Sequence, residues 1–404
     1  MTPFIKLSAA GFAATAITFG PARMGFGLFL AEFKSTFSLS TGMAGVISGI
    51  GFFGFFLGLL ISYAMTARSG PRMPVVSGLF AALVGMAIVA AAPNAWVLAA
   101  GVFLATSSAG FSWAPFNNAV HRLVDEARRP ATLSMVSTGT SLGVAAAGAT
   151  ALMVSYGELS WRYGWAGFAV VAALALAGNI GALRELAGDP GPPGKGSWTS
   201  LIAEPARPLL WIALSFGITT TIYISFAADR IQQAGGLPGI PEGAAPAIVF
   251  LSYGIFGLIG LTTGRLKTLI GLPWLLRLLH VAAAIALALI ALAPNSWTGV
   301  VVSAGLQGAY VMMMSAVMAF WSEELFPSMP SLSFTEALLA VAVGSVVGPL
   351  VAGFASSAFG PEAMFLGAAG LAAVTAASIL PRMIRERWPR EASTGGAAMR
   401  RRSA

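Results

Sequence analysis

The sequence predicts an all-α membrane protein in which twelve transmembrane helices form two pseudo-symmetric bundles of six. Three observations lead to this prediction: the composition of the chain, the recurrence of long apolar segments, and a repeat that relates its two halves. Of the 404 residues, 57% are hydrophobic and only 9% are charged, and the mean hydropathy is +0.81. A composition this apolar excludes a water-soluble domain built around one buried core.

Apolar segments long enough to cross a bilayer recur along the whole chain, because one spanning helix needs about 20 residues. The first segment contains Gly20, Pro21, Gly25 and Gly27, and Pro21 removes a backbone donor, so we expect a broken helix there. The twelve predicted spans are residues 8–31, 42–66, 74–92, 96–118, 132–155, 163–184, 208–231, 246–266, 272–292, 297–320, 333–357 and 362–381.

A repeat relates the two halves of the chain. The segment APNAW at residues 92–96 recurs as APNSW at residues 293–297, and Gly70 and Gly271 share the same offset of 201 residues. Each half therefore carries six helices in the same orientation, as expected of a parallel duplication. The predicted parts are a first bundle at 1–184, a cytoplasmic linker at 185–207, a second bundle at 208–381 and a basic cytoplasmic tail at 382–404.

The basic residues fix the predicted orientation. Only Lys34, Arg162 and Arg230 fall in segments assigned to the outer side, and every other Lys or Arg except Arg23 falls on the cytoplasmic side. By the positive-inside rule, both termini are predicted to be cytoplasmic, in a plasma membrane or a bacterial inner membrane. The net charge of +8 is thus explained by the lipid bilayer as partner, and no nucleic acid is expected.

Several local motifs join this organisation. Arg68, Gly70 and Arg72 follow the second predicted span. Gly264 and Leu266 lie at the end of the eighth span, and Gly271 follows it. The segment SWRYGW at 160–165 leads into the sixth span. Together these features resemble the major facilitator superfamily of secondary transporters, although Ala67 replaces the acidic residue of its loop motif and Tyr63 its first Gly. The resemblance implies a central cavity lined by the first, fourth, seventh and tenth helices, a small-molecule substrate, and neither cofactor nor metal.

Arg23 is the only basic residue that we place well inside a predicted span, away from its ends. A charge there costs at least ~2.5 kcal/mol, so it is expected to face a cavity or a partner. Snorkelling to the surface and a fixed ion pair remain alternatives. In the fourth span Thr106, Gly110, Trp113 and Asn117 fit one continuous helical stripe. The predicted substrate-binding residues are Arg23, Trp113, Asn117, Tyr223, Gln307 and Tyr310, the aromatic ones being open to a packing role instead.

Charged residues near the ends of the spans are predicted to act in gating or coupling. On the outer side Glu32 and Lys34 face Asp229 and Arg230, and on the inner side three acidic residues lie opposite basic residues of the first half. Solvated surface charges, worth about 0–1 kcal/mol per pair, are the alternative. The inner set comprises Glu323, Glu324 and Glu336 with Arg68, Arg72, His121 and Arg122, and Glu336 is the favoured proton site. His280 is expected to be peripheral.

The predicted function is secondary active transport of a small solute, with an organic anion favoured and a coupling proton as further partner. The alternatives are an exporter of drugs or amphipathic compounds, suggested by Met312, Met313 and Met314, and a membrane-embedded enzyme or non-transporting sensor. A G-x-S-x-G motif at 139–143 lies inside an apolar helix and lacks the strand and turn that a nucleophile needs. No catalytic residue is therefore assigned, and a monomer is expected.

Overall fold

The computed structural model of the protein describes residues 3–184, 206–241, 243–326, 330–381 and 384. All of the predicted basic tail except Ile384, and nearly all of the predicted linker, lie outside these ranges. The described residues form α-helices joined by short loops, which we number in chain order. We use "first half" for α1 to α9 and "second half" for α10 to α15.

The helices of the first half are α1 (Pro3–Phe19), α2 (Pro21–Leu28), α3 (Leu30–Phe37), α4 (Thr41–Ser69), α5 (Arg72–Ala91), α6 (Ala95–Ser107), α7 (Trp113–Leu123), α8 (Arg129–Tyr156) and α9 (Trp161–Ala182). Those of the second half are α10 (Arg207–Gln233), α11 (Ala245–Gly257), α12 (Thr263–Ile270), α13 (Leu272–Leu292), α14 (Trp297–Leu325) and α15 (Pro330–Ser378).

Ten helical segments of the described residues are long and apolar enough to cross a membrane. The last of them, Ser333–Ser378, has 46 residues, more than twice the ~20 that one crossing needs. Its helical geometry is broken at Gly360, which has φ 87° and ψ 160° and is followed by Pro361. This break lies between the predicted eleventh and twelfth spans.

The first predicted span is divided into α1, α2 and α3, so it is not among the ten long segments. The break at Gly20 was predicted and is confirmed, because Pro21 opens α2 where its missing N–H costs no hydrogen bond. The second break, at Phe29, was not predicted, since no Pro marks it. As a result of these breaks, Arg23 lies in the first turn of α2.

The fourth predicted span is interrupted by a 3₁₀ segment, Ser108–Phe111, between α6 and α7. A 3₁₀ turn holds three residues where an α-turn holds 3.6, so it changes which side chains share a face. The prediction of one continuous stripe is therefore wrong. Thr106 is buried and donates a hydrogen bond to the carbonyl oxygen of Ala22 at 3.3 Å, whereas Trp113 and Asn117 are half-buried.

Local structure recurs at the offset of the repeat. Gly70 ends α4 with φ 74°, and Gly271 ends α12 with φ 76°, a left-handed conformation that glycine adopts without strain. The caps of the equivalent helices α6 and α14 differ by one position, since Asn94 accepts hydrogen bonds from the N–H groups of Trp96 and Val97, whereas Ser296, one residue beyond the equivalent of Asn94, accepts from that of Gly299.

The two halves meet closely near the end at which α3 finishes, which we call the outer end. On α2, a Cβ at Gly27 would overlap the carbonyl oxygen of Ile224 in α10. The hydroxyls of Ser48 and Ser225 lie 2.7 Å apart across the same boundary. Such close approach of small residues holds helices together where lipid offers no hydrophobic driving force.

The G-x-S-x-G motif is part of this tight packing. A Cβ at Gly139 would overlap the carbonyl oxygen of Phe12, and one at Gly143 would overlap that of Ala16, both in α1. Ser141 lies between them in the interior of α8 and is buried. The motif is therefore a helix-packing element with none of the geometry of a nucleophile elbow.

A Gly27→Leu variant is expected to hold the halves apart at the outer end, because its side chain would occupy the space of the Ile224 carbonyl. The chain has no cysteine, so a cysteine introduced at the buried Ser225 can report opening. In intact cells, its labelling by a membrane-impermeant maleimide should rise severalfold when Gly27→Leu is added.

The matched control is Gly167→Leu on α9, where nothing lies within 4 Å of an added Cβ. This variant should leave the labelling unchanged. Equal labelling of the two variants, with both proteins monodisperse, would show that the contact at Gly27 does not close the outer end.

Candidate functional site

Arg23 is half-buried between the halves, and its charge is surrounded by aromatic rings. The central carbon of its guanidinium lies 4.8 Å from the ring centre of Phe55, 5.5 Å from that of Phe19 and 5.6 Å from that of Phe52. Its Nε is buried without a hydrogen-bond partner. Among the described residues Arg23 forms no ion pair, so the fixed ion pair considered from the sequence is not present there.

Aromatic faces stabilise a cation without neutralising it. A desolvated cation–π contact contributes about 2 kcal/mol, and the three rings leave the N–H donors of the guanidinium free. Because Arg23 is enclosed by α1 and α4 side chains, it does not snorkel to the surface. The arrangement therefore keeps a positive charge available at the boundary between the halves.

Tyr253 lies on α11, a helix that contacts α2 and so the segment that carries Arg23, and the sequence prediction did not include it. Arg23 is a charge whose field reaches the phenol of Tyr253. Tyr253 is fully buried, and its hydroxyl has no hydrogen-bond partner. The prediction considered only the first, fourth, seventh and tenth spans, but the repeat offset pairs Tyr253 with Phe52, which itself contacts Arg23.

Tyr223 and Tyr310 are buried inside the second half, and their hydroxyls are already engaged. The hydroxyl of Tyr223 donates to Oγ of Ser303 at 3.0 Å, since Ser303 itself donates to a backbone carbonyl. The hydroxyl of Tyr310 lies 3.4 Å from Oγ1 of Thr219. In this structure both tyrosines position neighbouring helices, and neither touches Arg23.

Gln307 differs from these tyrosines, although it lies one turn before Tyr310 on α14. It is fully buried, and neither its amide nitrogen nor its amide oxygen has a partner. Asn117 of α7 is half-buried and also has a buried, unpartnered oxygen, and Trp113 lies one turn before it. Among the predicted binding residues, Arg23, Asn117 and Gln307 thus keep free hydrogen-bonding atoms.

His280 was expected to be peripheral, and this is wrong. It is fully buried in α13, with Nδ1 2.9 Å from the carbonyl oxygen of Leu276. Its ring packs edge-on against Tyr310, with ring centres 5.5 Å apart. The sequence placed His280 within the ninth predicted span but could not show which face of α13 packs on α14.

At the outer end, Lys34 and Asp229 form an ion pair that joins the halves, with Nζ 3.0 Å from Oδ2. Gln233 donates to the same carboxylate at 2.7 Å, and Lys34 also donates to Oγ1 of Thr41 at 3.2 Å. Glu32 lies beside this pair, with a buried oxygen that has no partner. Of these two carboxylates, Asp229 pairs with Lys34, and Glu32 forms no ion pair with a described residue.

Arg230 does not take part in that contact, so a pair between Arg230 and Glu32 across the outer gap is not formed in this structure. Its guanidinium donates to the carbonyl oxygen of Ala291 at 3.0 Å, within the second half. The last carbonyls of a helix lack partners inside the helix, and Arg230 satisfies one of them at the end of α13.

At the opposite, inner end, Glu324 pairs with Lys267 at 2.6 Å. Both belong to the second half, so the predicted pairing of Glu324 with basic residues of the first half is wrong here. Arg68 and Glu323 are exposed, Arg72 and Glu336 are half-buried, and none of the four forms an ion pair with a described residue. Arg122 is half-buried on α7, and the side chain of His121 lies outside the described set.

The clearest surface cavity, of about 300 Å³, lies elsewhere, between the outer ends of α4 and α6. It is lined mainly by apolar side chains such as Phe37, Ile47 and Trp96, and Arg23 is not among them. We do not regard it as the site, because it offers no charge. Within the described residues, no group of three or more His, Asp or Glu side chains could hold a metal.

Comparison with known proteins places these features in a family context. The sequence profile of the Major Facilitator Superfamily matches residues 12–278. A search of curated proteins found no match.

Solved transporter structures resemble the whole chain. A bacterial homologue of the human lysosomal transporter Spinster, inward-facing and unoccupied, is 17% identical with a TM-score of 0.73, covering 96% of this chain and 99% of that chain. The nucleoside transporter NupG is 12% identical with a TM-score of 0.70, covering 95% and 100%. A POT family transporter in complex with 5-aminolevulinic acid is 13% identical with a TM-score of 0.75, covering 95% and 96%. At these identities the likeness shows the fold.

The ion pair at the outer end should matter for stability. Asp229→Asn leaves Lys34 without its partner, and breaking a buried pair typically costs about 3–5 kcal/mol. We expect a clearly lower melting temperature of the purified protein, with partial recovery when the charges are exchanged in Lys34→Asp with Asp229→Lys.

Glu324→Gln is the matched control, since that pair is more exposed and worth about 0–1 kcal/mol. Equal melting temperatures of Asp229→Asn and Glu324→Gln would contradict a stabilising role for the outer pair.

Proposed function

Since this chain belongs to the major facilitator superfamily, we propose that it moves a small organic anion across the cell membrane by alternating access. The protein is a multi-pass membrane protein and a secondary transporter. The choice of an organic anion rests on one observation, the unpaired positive charge of Arg23 where the two halves meet.

The proposed topology has twelve crossings. Ten segments are long and apolar enough to cross. Counting α1 to α3 together as the first crossing, and dividing α15 at Gly360, gives twelve. An even number places both termini on one side, and the distribution of basic residues makes that side the cytoplasm.

The chemistry of Arg23 suits a carboxylate. A guanidinium presents parallel N–H donors that match the two oxygens of a carboxylate, and such charged bonds are the strong ones. The rings of Phe19, Phe52 and Phe55 offer apolar surface next to the charge, which suits a substrate with an apolar body. Gln307 and Asn117 have free amide atoms for further polar groups.

The described contacts correspond to a state closed at its outer end, where Gly27, Ser48 and the Lys34–Asp229 pair join the halves. Opening to the outside requires these contacts to separate, which assigns Lys34 and Asp229 to the outer gate. For coupling, a carboxyl group must gain and lose a proton. Glu32, which lies near the Lys34–Asp229 pair and has an unpartnered buried oxygen, and the half-buried Glu336 are the proposed coupling residues.

The exporter alternative receives less support. It relied on a Met-rich cavity lining, but Met312, Met313 and Met314 are buried in the second half. Met312 packs against α11 and against the 3₁₀ segment Leu258–Thr262 that follows it. The enzyme alternative relied on Ser141, which is buried in the packing interface between helices. A non-transporting sensor would bind an anion without moving it, so a flux measurement separates it from our proposal.

We expect Arg23→Gln to reduce anion uptake by on the order of 10- to 100-fold, because a hydrogen-bonded charged contact is worth about 1.5–3 kcal/mol. Arg23→Lys, which keeps the charge but loses the paired donors, should fall in between. The measurement is uptake of radiolabelled organic anions and cationic dyes into proteoliposomes, with and without an imposed proton gradient.

Arg265→Gln is the matched control, since Arg265 is exposed on α12 and its removal changes the net charge equally. This variant should transport normally. If only the dyes are taken up, and Arg23→Gln does not change that uptake, the organic-anion proposal is wrong.

A further inference from the structure

Three large tyrosines are fully buried in the second half, and one of them stands apart. The hydroxyls of Tyr223 and Tyr310 have hydrogen-bond partners, whereas that of Tyr253 has none among the described residues. Leaving a buried polar group unsatisfied is unfavourable, so a hydroxyl kept at such a position requires an explanation.

Packing does not explain the hydroxyl of Tyr253. The residue at the equivalent position of the first half is Phe52, which is also buried and lacks the oxygen. The aromatic ring alone therefore suffices for a position of this kind. In the second half, the backbone of Tyr253 lies directly against Gly308 of α14, so the ring is held in a defined place.

The location of the hydroxyl indicates what it binds. The helix of Tyr253, α11, contacts α2, which carries Arg23, and the field of the guanidinium reaches the phenol. Arg23 belongs to the first half and Tyr253 to the second. Both carry unsatisfied donors, and an acceptor between them would satisfy both. A carboxylate, with two oxygens and about four acceptor positions, can take paired N–H donors and one O–H donor together.

The charge of this cluster limits the substrate further. Lys34 is committed to Asp229, and Arg23 is the one cation found among the rings of Phe19, Phe52 and Phe55. One negative charge neutralises it. A second would remain uncompensated in a low-dielectric environment, where an unpaired charge is costly.

We propose that Tyr253 is a specificity-determining residue, which with Arg23 binds the carboxylate of an organic monoanion and disfavours dianions such as dicarboxylates and phosphate monoesters. This inference rests on the proposed transport of organic anions. It adds a residue and a charge class to that proposal. The apolar body of the monoanion packs on the phenylalanine rings.

The test uses the purified full-length protein and three probes with the same ring: benzoate with one negative charge, phthalate with two, and benzamide with none. Octanoate and pyruvate extend the set to other monocarboxylates. A ligand that binds only the folded state stabilises it by RT ln(1 + L/Kd), where L is the free ligand concentration, so the rise in melting temperature over a concentration series gives an affinity. Wild type should bind at least one monocarboxylate, and benzoate more tightly than phthalate or benzamide.

Tyr253→Phe should weaken monocarboxylate binding about 10-fold or more, since it removes a hydrogen bond to a charged group. Its melting temperature without ligand should stay the same or rise, because the lost hydroxyl had no partner. A residue with a purely structural role would show the opposite pattern. Tyr163→Phe, which removes an exposed hydroxyl on α9, is the matched control and should bind like wild type.

The outcomes separate the two proposals. If Arg23→Gln abolishes binding and Tyr253→Phe leaves it unchanged, this inference is wrong and the proposed function stands. If phthalate binds as tightly as benzoate, the charge selection is wrong. If no monocarboxylate binds, or if Arg23→Gln binds monocarboxylates as tightly as wild type, both the inference and the proposed function are overturned.

Discussion

The positive charge of Arg23 within the apolar bundle is the constraint on which this structure depends. A guanidinium inside a membrane must be compensated by an acid, reach the surface, or be surrounded by groups that tolerate it. Here three phenylalanine rings surround it. The rings stabilise the charge and do not neutralise it, so the protein tolerates a cation that is still able to bind an anion.

The breaks in the first predicted span give Arg23 its position. Gly20 and Pro21 end α1 and start α2, and Phe29 separates α2 from α3. Beyond these breaks, Gly27 packs against α10 and Lys34 pairs with Asp229. Charges at the outer end are thus paired across the halves and close it, while the charge between the halves is left unpaired. On this difference we base the proposal that the first set acts in gating and the second in recognition.

Features that local sequence determines, such as spans and helix breaks, could be predicted. Features that depend on which helices pack together, such as the partner of a charged side chain, could not. Apolar length indicates spans, and Pro21 marks a break, because both act within a few residues of the chain. The 3₁₀ segment at Ser108–Phe111 has no such marker. Arg230 and Glu324 were placed at the correct ends of the bundle but given the wrong partners, since several helix ends meet there and sequence does not order them.

The two related halves contribute different groups to the site, and this asymmetry links binding to movement. At the repeat offset, Ile224 is the equivalent of Arg23, and Phe52 is the equivalent of Tyr253. The charge therefore comes from one half and the unpartnered hydroxyl from the other. An anion held by both can bind tightly only when the halves are correctly placed relative to each other. A ligand shifts a conformational equilibrium by its difference in affinity for the two states. An anion bound between Arg23 and Tyr253 would therefore favour the state in which the two halves are closed around it, which is the requirement for coupling substrate binding to alternating access.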